Sequence, residues 1–352
     1  MPTSIVLLAD DLSGALDSAS PFRLAGHDVA VAIDVASVSA AMRGDPDVLA
    51  INLDCRLLGA DAAMARVRSL EPLFAALTPD LIMVKVDSRL KGPVSAIVQS
   101  AMALTRREAI VCPAVPDVGR LVVEGHVTGA GVDRPIPVAS RLPADPAIVC
   151  RDAADRDALQ DIAASILSSP QTTLAVGARG LAQALAEATA PARPQRTAAD
   201  DPPRLPLILA IGSRDPVTLE QVGRLCRAAR LDEQATIDLG RGGVLLVRPL
   251  AGDAARGSAD VAAKLADNVA RIVGQCDGAT ILASGGDTAL VIARRLGVSV
   301  LVPQRELLPG IPLSAVPSRP ELRIATKSGG FGGPDALVAC LERLTRGVEV
   351  PA

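Results

Sequence analysis

The sequence alternates throughout between short apolar runs, rich in Val, Ile and Leu, and longer amphipathic stretches. In the first half, runs that predict strands cover residues 5–9, 29–33, 48–53, 81–86, 109–112 and 174–176. Helix-like segments such as 60–77 and 94–104 lie between them. This alternation predicts an α/β fold with a mostly parallel sheet flanked by helices.

One segment, "APARPQRTAADDPPRLP" at residues 190–206, breaks the pattern with five prolines and charges of both signs. The alternation then resumes with apolar runs at 207–211, 243–247, 280–283, 298–302 and 322–325. A chain of 352 residues is also too long for one ordinary core. We therefore predict two α/β domains, residues 1–195 and 207–352, joined by a proline-rich linker over 196–206.

The composition excludes several classes of function. The net charge is −3, so the chain lacks the excess positive charge that binds nucleic acid. It also has no Trp or Tyr on which bases could stack. The N-terminal stretch "MPTSIVLLADD" lacks the charged n-region of a signal peptide, and its apolar run is too short for a signal peptide or a membrane span. We expect a cytoplasmic protein whose partners include neither nucleic acid nor membrane, and the sequence leaves a homodimer open.

The six cysteines form no CxxC pair, and the chain has only two histidines. A zinc site with Cys and His ligands is therefore not expected, and the sequence identifies no other metal ligands. We interpret the cysteines as small buried hydrophobic residues that stay reduced.

Ligands bind beyond the carboxyl ends of the strands in open α/β sheets, so the residues after each apolar run are candidates for chemistry. Asp10 and Asp11 follow the first run, in "IVLLADDLSGALDSA". Adjacent carboxylates raise each other's pKa unless cations or donors compensate. Asp11 could be the N-cap of the following helix. Alternatively, the pair could grip a hydroxyl group, with one member as general base.

A second cluster follows the apolar run at 81–86, in "DLIMVKVDSRLKGPV". Its polar residues are Lys85, Asp87, Ser88, Arg89 and Lys91. A surface loop could carry these charges without any function. A lysine inside the apolar run, with three basic groups within seven residues, instead favours a grip for a carboxylate or phosphate.

Two loops in the second half, "ASGGDTALVIA" and "ATKSGGFGG", each place glycines between an apolar run and a helix-like segment. Glycines let the backbone approach a phosphate, and a helix N-terminus offers free N–H groups and partial positive charge. Either Asp287 or Thr288 could instead cap its helix. The candidate phosphate-binding residues are Gly285, Gly286, Asp287, Thr288, Lys327, Ser328, Gly329 and Gly330.

A third strand end in this half, "LILAIGSRDPV", presents Ser213 and places Pro216 in the first turn of a helix. Such loops on one sheet can enclose a nucleotide between them, although the GxxxxGK[ST] pattern of a Walker P-loop is absent. Phe331, inside the last glycine loop, could lie beside an adenine ring or could plug the core.

The stretches "ADDLSGA", "VKVDSRLKG", "GSRDPVT", "SGGDTA" and "TKSGGFG" occur in this order and span nearly the whole chain. In combination they resemble the four-carbon acid sugar kinase family, which contains kinases for 3-oxo-tetronates, threonate and erythronate. The resemblance implies an N-terminal domain that binds a sugar acid and a C-terminal domain that binds ATP, with the active site in the inter-domain cleft. It also implies Mg²⁺ as a cofactor.

The resemblance further implies which residues meet each ligand. Those facing the sugar acid are Asp10, Asp11, Asp87, Ser88 and Arg89, and those facing the nucleotide are Ser213, Gly285, Gly286, Asp287, Thr288 and Gly329. We expect Asp11 to orient or deprotonate the acceptor hydroxyl, with Asp10 as its partner or as a metal contact. Arg89 and Lys91 are expected to hold the substrate carboxylate.

The chain departs from the family pattern in its acid-binding half. "DSRLKGP" stands where "DSTLRGN" is usual, and "GRLVVEGHVTGAGV" stands where a "GRTTVGGHHYV"-like segment is usual. We therefore expect an ATP-dependent kinase for a small, four-carbon sugar acid. The alternative is a catalytically inactive sensor that binds a nucleotide or a sugar acid.

Overall fold

The computed structural model describes residues 4–192, 202–231, 237–239, 243–249 and 258–346. The chain separates into two compact units, Met1–Arg196 (unit 1) and Thr197–Ala352 (unit 2). Residues 196–201 of the predicted linker lie outside the described residues.

Unit 1 is built on a parallel sheet. Its strands are β1 (Ile5–Ala9), β2 (Val29–Ala32), β3 (Val48–Asn52), β4 (Leu81–Lys85), β5 (Glu108–Cys112), β6 (Arg120–Val123), β7 (His126–Gly129), β8 (Ile136–Pro137), β9 (Ile148–Cys150) and β10 (Thr173–Gly177). Its helices are α1 (Leu12–Leu24), α2 (Val38–Met42), α3 (Ala60–Arg68), α4 (Glu71–Ala76), α5 (Val94–Thr105), α6 (Arg156–Leu167) and α7 (Arg179–Ala188). The main sheet has the order β2-β3-β1-β4-β10-β5-β9, with neighbours paired in parallel.

The strand order places β1 between β3 and β4, where the connections leave in opposite directions. Helix α1 leads from β1 to β2 on one side, whereas α5 leads from β4 to β5 on the other. Ile5 pairs with both Val48 and Leu81, so the three strands are in register. Ligand crevices in open α/β sheets form at such a reversal, beyond the carboxyl ends of the strands.

A three-stranded antiparallel sheet, β6-β7-β8, is inserted between β5 and β9. Glycine is required where its strands approach most closely. Gly129 has a φ of 90°, and a Cβ there would lie 2.1 Å from the carbonyl oxygen of Gly119. This sheet carries most of the segment 119–132, in which the chain departs from the family pattern.

Unit 2 has parallel strands at the centre of its sheet. Its strands are β11 (Leu207–Ile211), β12 (Ile237–Leu239), β13 (Val244–Val247), β14 (Ala279–Ser284), β15 (Val300–Leu308), β16 (Ile311–Ala315) and β17 (Leu322–Lys327). Its helices are α8 (Pro216–Ala229), α9 (Ser258–Val273), α10 (Gly286–Arg295) and α11 (Ala336–Thr345). The order is β12-β13-β11-β14-β17-β16-β15, with β13, β11, β14 and β17 parallel and the others antiparallel. The predicted fold class, α/β with mostly parallel strands flanked by helices, is confirmed.

Two sequence predictions about individual elements need correction. The segment 60–77 forms two helices, α3 and α4, because Pro72 in the first turn of α4 cannot continue an earlier helix. The strand predicted at 298–302 is the longer β15, which pairs antiparallel with β16. Pro303 and Pro312 interrupt the apolar pattern there and concealed this hairpin.

The structure supports the interpretation as buried residues for four of the six cysteines, whereas Cys150 and Cys276 are only partly buried. Cys55, Cys112, Cys226 and Cys340 are buried, and no disulfide joins the six cysteines. Burial raises the pKa of the Cys55 thiol to about 12 and that of Cys112 to about 11, so both stay protonated near neutral pH. None of the helices in the described part of the chain combines the length and apolar character that a membrane-spanning segment needs.

Candidate active site

The acid pair at the end of β1 is held by an arginine from the loop after β3. Arg56 donates from Nε and Nη2 to the two carboxylate oxygens of Asp10, both at 2.7 Å, and from Nη1 to Asp11. Both aspartates are buried, and the Arg56 side chain is only 20% exposed. A two-pronged contact between a guanidinium and a carboxylate is a strong ion pair. Arg56 is therefore the cation that permits two adjacent buried acids.

Asp11 is also the N-cap of α1. Its Oδ1 accepts the backbone N–H of Gly14 at 2.6 Å, and its Oδ2 accepts the hydroxyl of Ser13 at 3.0 Å. The cap interpretation is thus confirmed, and it holds together with the ion pair. With Arg56, three of the roughly four lone-pair positions of this carboxylate are used, which leaves one for a ligand.

The ion pair also determines which group of the cluster is sensitive to pH. Burial raises the pKa of Asp10, and Arg56 offsets only part of this effect. Burial alone would lower the pKa of Arg56, but Asp11 and Asp10 outweigh it and raise that pKa. The guanidinium therefore stays charged, and the carboxyl group of Asp10 has a raised pKa.

The loop after β4 adds a third carboxylate. Asp87 Oδ1 accepts the backbone N–H of Arg89 at 2.9 Å and that of Lys91 at 3.4 Å. Burial would raise the pKa of Asp87, but the charges of Arg56 and Lys85 and these two backbone donors lower it. Asp87 is therefore ionised at neutral pH, and its Oδ2 has no hydrogen-bond partner among the described residues.

Two arginines meet beside this carboxylate, and sequence reasoning missed one of them. Arg120, the first residue of β6, donates to the Ser88 hydroxyl at 2.6 Å and to the carbonyl of Ala130 at 3.0 and 2.8 Å. Arg89 donates to the carbonyl of Gly131 at 3.5 Å. Burial and then the charge of Arg89 lower the pKa of Arg120. Guanidinium groups placed this close together favour an anionic ligand.

The three predicted nucleotide loops of unit 2 come together, because β11, β14 and β17 are neighbouring parallel strands. The backbone N–H of Ser213 donates to the carbonyl of Ser284 at 3.1 Å. The backbone N–H of Gly285 donates to the carbonyl of Lys327 at 2.8 Å. A Cβ at Gly329 would lie 2.4 Å from the Ser213 hydroxyl oxygen, so these loops touch.

Glycine is required at two further positions in these loops. Gly285 has a φ of 112°, and a Cβ at Gly212 would lie 2.2 Å from Thr288 Oγ1. Gly285 is the N-cap of α10 and offers no side chain to cap it. The first turn of α10, which includes Gly286 and Asp287, therefore presents its positive end without a side-chain cap, as an anion site requires.

Helix α8 holds the glycine loop after β17. Thr218 donates its hydroxyl to the carbonyl of Gly329 at 2.6 Å, and Gln221 donates its amide to the carbonyls of residues 331–333 at 3.1, 3.1 and 2.8 Å. Both side chains are fully buried. Phe331 packs against the apolar core of unit 2, which supports the core role that the sequence left open for it.

Lys327 has partners other than those expected of a phosphate ligand. Its side chain is fully buried, and its ammonium donates to the carbonyls of Ser328 and Gly329 at 3.0 and 3.1 Å. Burial lowers the pKa of Lys327 to about 8. In this arrangement Lys327 stabilises the loop from inside. The half-buried residues Ser328, Gly329 and Gly330 form the part of the loop that a ligand can reach.

The pKa of Lys327 predicts a pH dependence of stability. Its folded pKa of about 8 lies below the value of 10.5 for a free lysine, so the unfolded chain binds more protons between these values. The free energy of unfolding of the wild type, relative to Lys327→Met, should therefore rise between pH 8 and 10.5 by up to about 3 kcal/mol. Urea unfolding of both proteins at several pH values measures this difference. A difference in the free energy of unfolding between the two proteins that does not change with pH would contradict this prediction.

Comparison with known proteins gives a consistent picture. Residues 5–146 match the family model of a sugar-binding N-terminal domain, and residues 247–337 match that of a nucleotide-binding C-terminal domain. A D-threonate kinase from Bordetella bronchiseptica is 27% identical, with 97% of this chain and 97% of the relative covered. A 3-oxo-tetronate kinase from Methylobacterium radiotolerans is 27% identical, with 98% of this chain and 100% of the relative covered.

A solved structure shows the same fold. The crystal structure of a Haemophilus influenzae protein superposes with a TM-score of 0.64 at 16% identity. The superposition covers 96% of this chain and 100% of the Haemophilus influenzae chain.

The two α/β units, one matching a sugar-binding domain and the other a nucleotide-binding domain, are the two halves of a carbohydrate kinase. The chain belongs to the four-carbon acid sugar kinase family. The resemblance seen in the sequence motifs is thereby confirmed.

Proposed function

We propose that this protein is an ATP-dependent kinase that phosphorylates a hydroxyl group of a small sugar acid, such as a tetronate or a 3-oxo-tetronate. The observation that carries the proposal is the acid pair Asp10–Asp11 at the strand reversal of unit 1, held by Arg56. The loop after β4 carries Arg89, and Arg120 of β6 donates a hydrogen bond to Ser88 of that loop. The names of the D-threonate and 3-oxo-tetronate kinase relatives support the same substrate class.

Asp11 receives the proton of the attacking hydroxyl. One lone pair of its carboxylate remains for the substrate, and Arg56, Gly14 and Ser13 fix its position. Asp10 accepts one hydrogen bond from Arg56 at each carboxylate oxygen, so it positions that arginine. The unpartnered Oδ2 of Asp87 is placed to accept a second substrate hydroxyl.

The carboxylate of the acid binds at the paired arginines. Arg89 and Arg120 are fixed by backbone carbonyls and by Ser88, and Lys91 is exposed on the same loop. A planar guanidinium can hold a carboxylate through two parallel hydrogen bonds. In the family pattern the position of Arg89 is a threonine, so this chain has an additional cation for its acid.

ATP binds where the three loops of unit 2 meet, with its phosphates at the first turn of α10 and at the glycine loop after β17. No group of three or more acidic, His or Cys side chains among the described residues could hold a metal ion. Mg²⁺ bound together with the nucleotide phosphates would supply charge neutralisation for the transferred group.

A panel of acids tests the proposal. The purified protein is incubated with ATP and Mg²⁺ and with each of D- and L-threonate, D- and L-erythronate and the 3-oxo-tetronates, and the formation of ADP is measured. We expect turnover with at least one four-carbon acid and none with the corresponding neutral polyols. If ATP binds but no acid is phosphorylated across the panel, the sensor is the better interpretation.

The nucleotide site predicts the effect of a branched residue at Gly329. A Cβ there would lie 2.4 Å from Ser213 Oγ, so Gly329→Val should force two nucleotide loops apart. The affinity for ATP should fall at least tenfold, about 1.4 kcal/mol, while acid binding stays unchanged. Titration calorimetry with each ligand measures both. Gly333→Ala is the control, because nothing lies within 4 Å of a Cβ at that position. Unchanged ATP affinity in folded Gly329→Val would place the nucleotide elsewhere.

A further inference from the structure

One buried cation of unit 1 enters the site described so far only through its charge, which lowers the pKa of Asp87. Lys85, the last residue of β4, is 5% exposed. Its ammonium has no hydrogen-bond acceptor, and no carboxylate lies within ion-pair distance of it, among the described residues. The charges of Asp10 and Asp87 act on this ammonium, but its three N–H donors have no acceptor in the described part of the chain, and leaving buried donors unsatisfied is costly. Such a group indicates a ligand that supplies the missing hydrogen-bond acceptors.

The ammonium lies against the first turn of α1. A Cβ at Gly14 would be 3.1 Å from Lys85 Nζ and 2.7 Å from Asp11 Oδ1, so these two groups flank the same glycine. Within this turn the N–H of Gly14 is bound to Asp11, whereas the N–H groups of Leu12 and Ser13 have no acceptor among the described residues. The positive end of a 13-residue helix and a lysine that has no hydrogen-bond acceptor among the described residues therefore meet at one place.

We propose that Lys85 and the backbone N–H groups of Leu12 and Ser13 form an oxyanion site for the phosphoryl group that the acid receives. This proposal rests on the proposed kinase function. The substrate oxygen, deprotonated by Asp11, forms a bond to the γ-phosphorus of ATP while the bond to the β-phosphate oxygen breaks and ADP leaves. Lys85 neutralises charge on the equatorial oxygens of the transferred group and is thus a catalytic residue.

The substitution Lys85→Met tests the proposal, because methionine retains a long apolar stem and cannot donate a hydrogen bond. Inorganic phosphate, titrated calorimetrically into the protein without nucleotide, should bind at least tenfold more weakly to Lys85→Met than to the wild type. In the kinase assay kcat should fall at least 100-fold, with the KM for the acid changed less than threefold. Lys264→Met, at an exposed position on α9, is the matched control and should leave both measurements unchanged.

The other outcomes separate this proposal from the function on which it rests. A raised KM for the acid with unchanged kcat would assign Lys85 to the substrate carboxylate and overturn the proposal. Equal phosphate affinity in the two folded proteins would also overturn it. Phosphate binding that depends on Lys85 in a protein that phosphorylates no acid would leave the oxyanion site standing and reject the kinase function.

Discussion

Replacing Arg56 by Met is expected to lower the free energy of unfolding by about 3–5 kcal/mol, because Asp10 and Asp11 would remain buried side by side without their cation. The loss should depend on pH. The pKa of Asp10 already lies above its usual 3.8 in the folded protein, and without Arg56 it rises further. The folded form then binds more protons than the unfolded chain, so stability falls as the pH rises from about 3.8 toward neutrality.

Chemical denaturation of the wild type and Arg56→Met between pH 4 and pH 7 measures this effect. The control is Arg68→Met on α3, where the arginine is exposed and the change should stay within about 0.5 kcal/mol. The double variant Arg56→Met/Asp10→Asn should recover part of the stability at pH 7. A loss that does not vary with pH would show that Arg56 stabilises the fold through the packing of its stem.

Replacing Asp11 by Asn should reduce turnover of the acid about 100- to 10,000-fold, since an amide cannot take the proton of the attacking hydroxyl. Asparagine caps helices as well as aspartate does, and the Gly14 N–H keeps an acceptor, so the melting temperature should change little. The two results together separate the base from the cap. The measurements are kcat with the acid that the panel identifies as the substrate, and the melting temperature of the same sample.

Asp155→Asn is the matched control for this substitution. Asp155 is the N-cap of α6 and accepts the backbone N–H of Ala158 at 2.9 Å, as Asp11 does for Gly14. Its replacement should leave kcat unchanged. Wild-type turnover in a folded Asp11→Asn protein would leave Asp11 as a cap alone and would move the search for the base to Asp87.

The parallel strands could be predicted because strands buried on both faces are apolar along their whole length. Ile5–Ala9 and Leu207–Ile211 were predicted with the bounds that the structure shows. The antiparallel elements could not be found this way. The small sheet β6-β7-β8 is only partly buried, and the hairpin β15-β16 contains prolines, so neither has the continuous apolar pattern.

The candidate site was predictable where the chemistry lies in one short stretch. Asp10, Asp11 and Asp87 follow their strands directly, as the sequence indicated. Arg56 was missed because it lies 46 residues from Asp10, and only the pairing of β1 with β3 brings it there. Arg120 was missed for a related reason, although the "GR" at the start of its segment matches the family pattern and offered a signal.

Lys327 shows a different limit of sequence reasoning. A lysine beside a glycine-rich loop is typical of a phosphate site, and the sequence was interpreted accordingly. In the structure it is the last residue of β17, and its side chain lies on the buried side of the strand, near Thr218 of α8. The direction of a side chain at a strand end depends on the exact length of the strand, and apolar runs do not determine that length to within one residue.

The single arginine that serves two aspartates also limits the mutational routes by which this site can change. A variant that loses Arg56 first passes through a state with two uncompensated buried acids, whereas a variant that loses Asp10 first keeps an ion pair between Arg56 and Asp11. In both random drift and laboratory evolution toward another substrate, we therefore expect one of the two aspartates to be replaced before Arg56 is replaced. Libraries that randomise position 56 alone should yield few folded clones, and libraries that randomise positions 10 and 56 together should yield more.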